Sequence, residues 1–250
     1  MAEGPSPSIQ GVYDALRGGH LHLEPDWLTA EAIRSAYPDI GEWLRDEARF
    51  AWRAITRAAQ AGVGQYIVAA SGTPRDRGEN THEIARRVVP GAVAVYAGTD
   101  PDAIAYDRRL LAEDDPGVIA VDADKGRGAG FLDDPAIAGL IDFSRPACLT
   151  ARMVMHFIAP GDAEAVIAGL AKPLAAGSRL IVSAWLPAPD GLAALLAPAG
   201  VVYRYAPDDV TAWLDGAGLR ILEPGVVGAR AWPLAGRLVG GVGAVVAVKR

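Results

Sequence analysis

Residues 64–85, GQYIVAASGTPRDRGENTHEIA, have the pattern of a ligand-binding turn. An apolar run ends in small residues, and a helical pattern begins near Thr81. In α/β sheets, ligands bind beyond the carboxyl ends of the strands, where the chain passes from strand to helix. Ser71 and Gly72 are therefore the first candidates for holding a cofactor. The strand before them ends without a carboxylate, and the turn 69–72 contains a single glycine.

Three further positions offer side chains that could do chemistry. His156 follows a strongly apolar segment and is either a general base for an attacking oxygen or nitrogen, or a hydrogen-bonded core residue. Arg152 lies inside that segment, so its guanidinium needs an anionic partner, either a substrate carboxylate or an internal Asp. Tyr13 and Asp14 belong to the motif VYDALRGG. That motif predicts either a lid that faces substrate or a plain helix that ends at the glycine pair.

Metal and thiol chemistry have less support in the sequence. His20 and His22 are two residues apart in a predicted loop, but no third ligand accompanies them, so a solvated loop is the simpler interpretation. Cys148 is the single cysteine, which excludes an intrachain disulfide and fits a reducing compartment. Nothing near it marks a catalytic triad. We therefore expect no metal site.

The elements that must position these residues follow an alternating pattern. Strand and helix patterns alternate from residue 63 onwards, which predicts an α/β fold with a doubly wound, mostly parallel Rossmann-like sheet. The predicted strands are 65–70, 92–98, 117–124, 147–157, 178–185, 219–227 and 243–250. Residues 9–62 have helical spacing instead. We therefore divide the chain into an N-terminal helical cap or lid, 1–62, and a core, 63–250.

Composition limits the classes of partner. The chain has 250 residues, of which 51% are hydrophobic, and this suits one α/β domain. The net charge of −6 disfavours nucleic acid, because phosphate binding needs clustered Lys and Arg. No run of about 18 uncharged apolar residues predicts a membrane span, and residues 1–8 lack a signal-peptide pattern. We expect a cytoplasmic protein with a small-molecule substrate, and a homodimer is the assembly to consider.

Eight short motifs occur in a fixed order between Pro7 and Lys249. They are VYDALRGG, NTHEIA, TDP, DAD, IDFSRP, HF, LEPGVV and VAVK. Each is weak alone, but together and in this order the chain resembles the actinobacterial branch of class I S-adenosylmethionine-dependent methyltransferases. The resemblance implies that the cofactor S-adenosylmethionine is held by four residues: Ser71, Gly72, Asp100 and Asp124. It also implies that His156 or Tyr13 lies near the methyl acceptor.

The chain departs from the family pattern at the cofactor site. The family has an acid where this chain has Val68 and a glycine where it has Ala70. A second family acid, which grips the ribose hydroxyls, is matched by Gly98, although Asp100 follows two residues later. The turn also carries an insert of about two residues in the charged segment 75–79. The cofactor motif is therefore degenerate.

Two interpretations stay open. The first is a methyltransferase that acts on a small molecule, as expected in bacterial secondary metabolism. The second is a repurposed methyltransferase fold that does not methylate. In that case the chain is either an enzyme for cyclisation, elimination or isomerisation, or a non-catalytic binding protein. The second interpretation places four charged side chains in the cleft: Arg75, Asp76, Arg77 and Arg152.

Overall fold

The computed structural model describes residues 6–72, 79–123, 128–234 and 241–250. Its strands are β1 (Gln65–Ala69), β2 (Val93–Gly98), β3 (Val118–Asp122), β4 (Cys148–Arg152), β5 (Arg179–Trp185), β6 (Leu219–Ile221), β7 (Val227–Gly228) and β8 (Val242–Lys249). Its α-helices are α1 (Ile9–Arg17), α2 (Glu24–Ala36), α3 (Ile40–Gln60), α4 (Thr81–Arg86), α5 (Pro101–Asp107), α6 (Pro135–Leu140), α7 (Pro160–Ala171), α8 (Leu192–Leu196) and α9 (Pro207–Gly216). Among these residues, no helix has the length and hydropathy that a bilayer crossing requires.

One mixed sheet has the strand order β3-β2-β1-β4-β5-β8-β6, and β7 pairs with β8. The first five strands are parallel, whereas β8 runs antiparallel to β5, β6 and β7. This confirms the mostly parallel Rossmann-like sheet. The strand order reverses between β1 and β4, and such a switch point opens a crevice at the carboxyl ends of the strands. Ala69 pairs with Ala151 in this register, so both strands end at the crevice.

The hydrophobic core has two halves, one on each face of the sheet. On one face Tyr66 of β1 packs in the same cluster as Phe50 and Ile55 of α3. On the other face Ile67 packs with Ile167 of α7, among residues of α6 and α9. Neighbouring strand residues point to opposite faces, which explains this division. Helix α3 is therefore a layer of the core, and residues 9–62 share one hydrophobic cluster with the sheet.

The strand predicted at 147–157 is shorter in the structure. It ends at Arg152, and Met153 then takes a left-handed backbone conformation with φ +52°. A 3₁₀ turn at Met155–Phe157 follows, so His156 leaves the sheet altogether. The apolar composition of this segment reflects its burial in the turn as well as in the strand. The segment predicted as a strand at 219–227 likewise forms two short strands, β6 and β7.

Ala70 is the first residue after β1 and has φ +53°. Only glycine adopts this left-handed region without a steric penalty, and the penalty for other residues is about 1–2 kcal/mol. Ala70 and Met153 are the two non-glycine residues with positive φ in the described chain, and both flank the switch point. Strain of this kind concentrates at functional sites, where the surrounding structure enforces it.

Replacing Ala70 by glycine is expected to stabilise the protein. Glycine removes the left-handed penalty but loses more chain entropy on folding, so the net gain in the free energy of unfolding is about 0.5–1 kcal/mol. Chemical denaturation measures it. The matched control is Ala69→Gly, where regular strand geometry makes glycine destabilising by a similar amount. A loss of stability in Ala70→Gly would contradict the left-handed assignment.

Candidate functional site

Two cavities meet at the carboxyl ends of β1, β2 and β4. The α1-side cavity has a volume of about 500 Å³ and is lined by residues that include Tyr13, Arg17, Asp100, Arg152 and Phe157. The α7-side cavity has about 790 Å³ and a mostly apolar lining that includes Phe131, Val154, Ile158 and Val166. Both cavities share Ala70, Thr99, Val154 and Phe157. The switch point therefore carries one extended crevice, as the topology requires.

Tyr13 anchors α1 to the core through a buried polar triad, Tyr13, His156 and Trp185. The Tyr13 hydroxyl lies 2.9 Å from His156 Nε2 and accepts a hydrogen bond of 3.0 Å from Trp185 Nε1. Burial is the main cause that raises the pKa of Tyr13. The ring of Tyr13 thus borders the α1-side cavity, while its hydroxyl is engaged with the other two members. The Tyr13 side chain therefore attaches α1 to the core.

His156 was expected to be either a general base or a hydrogen-bonded core residue, and the structure places it in the core. It is fully buried, and burial lowers its pKa to about 3, so the ring is neutral at pH 7. The backbone N–H of Trp185 donates to Nδ1 across 3.4 Å, which leaves the proton on Nε2 for the Tyr13 oxygen. His156 is absent from the described lining of both cavities. The prediction of a general base in contact with substrate is therefore corrected.

Arg152 finds its anionic partner inside the protein. Its Nε and one terminal nitrogen each donate to a carboxylate oxygen of Glu47 at 2.8 Å. The Ser183 hydroxyl also donates to Glu47, at 2.9 Å, and a nitrogen of Arg17 lies 3.9 Å away. The partner is a glutamate from α3, where an Asp or a substrate carboxylate was expected. Arg152 nevertheless lines the α1-side cavity.

Glu47 is fully buried and still ionised. Burial opposes ionisation, but the charge and hydrogen bonds of Arg152, with Arg17 and Ser183, lower its pKa to about 2. Two of the five guanidinium N–H groups of Arg152 are used in this pair. The described residues accept hydrogen bonds from no other N–H group of Arg152, whose side chain lines the α1-side cavity.

Ser71 is buried, and its side chain turns away from the crevice. Its hydroxyl donates to Asp107 Oδ2 at 2.7 Å, and its backbone N–H donates to the carbonyl oxygen of Ala97. The turn after β1 is thereby tied to β2 and to the end of α5. The side-chain hydroxyl of Ser71 is thus used within the protein, whereas Gly72 lines the α1-side cavity. A Cβ at Gly72 would meet no atom of the described residues within 4 Å, so these residues leave the turn open there.

Asp100 lies at the mouth of the α1-side cavity and caps α5. Its Oδ1 accepts the backbone N–H groups of Asp102 and Ala103. An acid at Gly98 would require Ile104 and Ser71 to shift, since a Cβ there would lie 2.9 Å from Ile104 Cγ1 and 3.2 Å from Ser71 Oγ. The predicted cofactor residue Asp124 lies outside the described residues, as do Arg75, Asp76 and Arg77.

The loop histidines and the remaining polar motifs have structural partners. His22 Nδ1 lies 3.0 Å from Asp14 Oδ2, which also accepts the N–H of Leu21. Asp14 thus stabilises the loop after α1, so the expectation that it faces substrate is wrong. His82 pairs with the Tyr96 hydroxyl at 2.8 Å. No group of three or more His, Cys, Asp or Glu arranged to hold a metal occurs in the described part of the chain.

Sequence reasoning missed Glu47, Trp185 and Asp107. Glu47 lies within a helix whose charged residues suggest a solvated face, and only the partner Arg152 indicated that a buried acid must exist. Trp185 is an aromatic residue for which the sequence suggests packing or pocket lining and gives no signal of a hydrogen bond. Asp107 ends a helix and gave no sequence signal.

The family comparison agrees with this geometry. The model of a family described as S-adenosyl methyltransferase matches residues 3–237, nearly the whole chain. The chain belongs to this family. The class I S-adenosylmethionine-dependent methyltransferase assignment is therefore confirmed. Among curated proteins, none matches the chain significantly.

Two solved structures are similar to this methyltransferase-family chain over almost its full length. A candidate methyltransferase from Thermobifida fusca is 28% identical with a TM-score of 0.88, over 98% of this chain and 96% of that one. A DUF574-family protein from Streptomyces avermitilis is 25% identical with a TM-score of 0.87, over 98% of each chain. A magnesium protoporphyrin IX methyltransferase from Synechocystis, with S-adenosylhomocysteine bound, is 13% identical with a TM-score of 0.55, over 96% of this chain and 93% of that one. That third likeness concerns the fold alone.

The crevice of this family member fits the parts of S-adenosylmethionine. The apolar lining of the α7-side cavity suits a flat adenine ring. Asp100 lines the α1-side cavity next to Thr99, which both cavities share, and its carboxylate is an acceptor of the kind that ribose hydroxyls need. The open turn at Gly72 allows a close approach to the backbone. The residues present therefore fit the cofactor.

Removing the Tyr13 hydroxyl is expected to destabilise the protein. Tyr13→Phe leaves the Trp185 indole N–H and the His156 Nε2–H buried without a partner, which lowers the free energy of unfolding by about 1–3 kcal/mol. Denaturant unfolding measures the change. The half-buried Tyr106 provides the control, since Tyr106→Phe is expected to stay within about 0.5 kcal/mol of the wild type. Equal effects of the two variants would rule out the buried triad.

Neutralising Glu47 is expected to have a larger effect. Glu47→Gln leaves Arg152 without its buried counter-charge, and breaking such a pair lowers the free energy of unfolding by about 3–5 kcal/mol. Because the pKa of Glu47 is lowered from 4.5 to about 2, its contribution is complete above pH 4.5 and disappears as the pH falls towards 2. The variant lacks this part of the acid dependence. Glu42→Gln on the same helix removes a solvent-exposed pair and should leave stability nearly unchanged.

Proposed function

We propose that this protein uses S-adenosylmethionine to methylate a small molecule, as expected of bacterial secondary metabolism. The observation that carries the proposal is the conformation of Ala70. The turn keeps the left-handed geometry of a glycine turn although the glycine has been replaced. A turn that had lost its function would have no need to retain a strained residue at the junction of two cavities.

The chain's own residues would bind and orient the cofactor. When bound, S-adenosylmethionine supplies a methyl group on a positively charged sulfur, and this sulfur is the leaving group when the acceptor atom bonds to the methyl carbon. Asp100 would accept hydrogen bonds from the ribose with the oxygen that does not cap α5. Gly72 lets the backbone lie against the cofactor, and the apolar α7-side cavity holds its ring. Asp124 is a further expected contact from the resemblance.

The methyl acceptor would lie in the α1-side cavity. The rings of Tyr13 and Phe157 form part of its wall, and Arg152 contributes positive charge. His156 acts there only indirectly, because it holds Tyr13 in place. Catalysis would then depend on orienting the acceptor and excluding water, which suits a displacement that needs no strong acid or base.

A methyltransferase fold that has lost methyl transfer is the second candidate. Two positions favour it: this chain has Val68 and Gly98 where the resemblance implies acidic residues. Steric crowding at Gly98 by the side chains of Ile104 and Ser71 supports a shift of the ribose acid from its usual position. The second candidate requires that the crevice bind another ligand, whereas the first requires Asp100 to take over the ribose contact.

Calorimetric titration with S-adenosylhomocysteine tests the first candidate, and we expect a dissociation constant in the micromolar range. Asp100→Asn should weaken binding about 10- to 100-fold, because hydrogen bonds to a charged acceptor contribute about 1.5–3 kcal/mol. Asn still caps the helix, so folding should persist. Asp102 lies two residues after Asp100 and is exposed. Asp102→Asn is therefore the control, and this variant should bind S-adenosylhomocysteine as the wild type does. Absence of binding at millimolar concentration would favour the second candidate.

A further inference from the structure

A third cavity, which we call the turn cavity, lies beneath the turn that follows β1. It has a volume of about 90 Å³, and its lining includes Val68, Ser71 and Asp107. It shares four lining residues with the α1-side cavity: Arg17, Ala70, Gly72 and Arg152. A ligand in the larger cavity can therefore extend a small end into the turn cavity.

Asp107 is the unusual member of this lining. Its side chain is 1% exposed, and its Oδ2 accepts the Ser71 hydroxyl. Its Oδ1 is buried and receives no hydrogen bond from any described residue. Buried polar atoms are nearly always paired, so an exception calls for an explanation. Burial also raises the pKa of Asp107 to about 7, against the lowering effect of Ser71.

The turn cavity also contains positive charge. Arg152 and Arg17 line it, and both contact the single carboxylate of Glu47. Arg152 keeps guanidinium N–H groups beyond those used by Glu47. An anionic group and a cationic wall in one small cavity suit an amino-acid head group, which carries an ammonium and a carboxylate.

We propose that Asp107 receives the α-ammonium group of the methionine part of S-adenosylmethionine, with Arg152 facing its carboxylate. The inference rests on the proposed function. Val68 lines the same cavity and brings no charge, and Glu79 is solvent-exposed, so Asp107 is the buried anion among the described residues of this lining. Its free oxygen supplies the acceptor that the ammonium needs.

Two ligands separate head-group binding from support of the turn. S-adenosylhomocysteine carries the amino-acid head group, whereas 5′-methylthioadenosine has the adenosine and the sulfur but lacks that group. In Asp107→Asn, the amide oxygen can still accept the Ser71 hydroxyl, but the charge is gone. We expect calorimetry to show an affinity for S-adenosylhomocysteine that is about 10- to 100-fold weaker. The affinity for 5′-methylthioadenosine should change less than about threefold.

Ser71→Ala is the matched variant for the turn, since it removes the hydroxyl and leaves the Asp107 charge. It should change the affinities of both ligands by the same factor. Asp102→Asn on the same helix should change neither. Thermal unfolding of each variant confirms that it is folded before titration.

The wild-type protein provides a second measurement. Among the described residues, the charged and titratable groups that line the turn cavity with Asp107 are Arg17 from α1, Arg152 from β4, Tyr96 from β2 and Glu79 before α4. An ammonium group favours the ionised form of Asp107, so binding should release a proton near pH 7 and affinity should rise from pH 6 to 8. Calorimetry in buffers of different ionisation enthalpy should detect proton release with S-adenosylhomocysteine, and none with 5′-methylthioadenosine.

The outcomes are distinguishable from failure of the proposed function. If neither ligand binds the wild type, the proposed function fails and this inference fails with it. If both ligands bind but Asp107→Asn weakens them equally or not at all, the proposed function stands and Asp107 has no head-group role. Equal proton release with both ligands would overturn the inference even if the variant does not fold.

Discussion

The buried ion pair between Glu47 and Arg152 determines how the crevice is assembled. Glu47 comes from α3 and Arg152 from the end of β4, while Ser183 of β5 and Arg17 of α1 also approach the carboxylate. Four elements therefore converge on one buried charge. A carboxylate without these partners would be strongly disfavoured in the core, so the elements cannot separate without a large loss of stability. This constraint places a guanidinium at the cavity wall.

The turn after β1 is likewise held in place by contacts with neighbouring elements. Ala70 adopts a conformation that its side chain disfavours, and Ser71 holds the next residue through Ala97 and Asp107. Gly98 has no side chain because Ser71 and Ile104 occupy that space. The departures from the family motif are thus linked structurally. A side chain at position 98 would crowd Ser71 and Ile104, and Asp100 supplies a carboxylate two residues later.

Much of the fold could be predicted from the sequence, and less of the site. Periodicity located the parallel strands and the helices between them, because burial on both faces leaves a continuous apolar run. The same rule overextended β4, since the buried turn around His156 is as apolar as a strand. Arg152 correctly indicated a buried acid. The identity of that acid stayed open, because a contact between residues 105 positions apart has no local signal.

The sequence by itself determined the α/β class, the family and the position of the ligand-binding turn, since these follow from local pattern and motif order. Tertiary structure decided which side chains reach the crevice. It buried His156 behind Tyr13 and turned Ser71 towards Asp107. It also left Asp107 Oδ1 without a hydrogen-bond partner among the described residues, in a cavity that Arg17 and Arg152 also line. The physical reason is that ionisation, hydrogen bonding and exposure depend on neighbours in space, and packing of α1, α3 and α5 on the sheet chooses those neighbours.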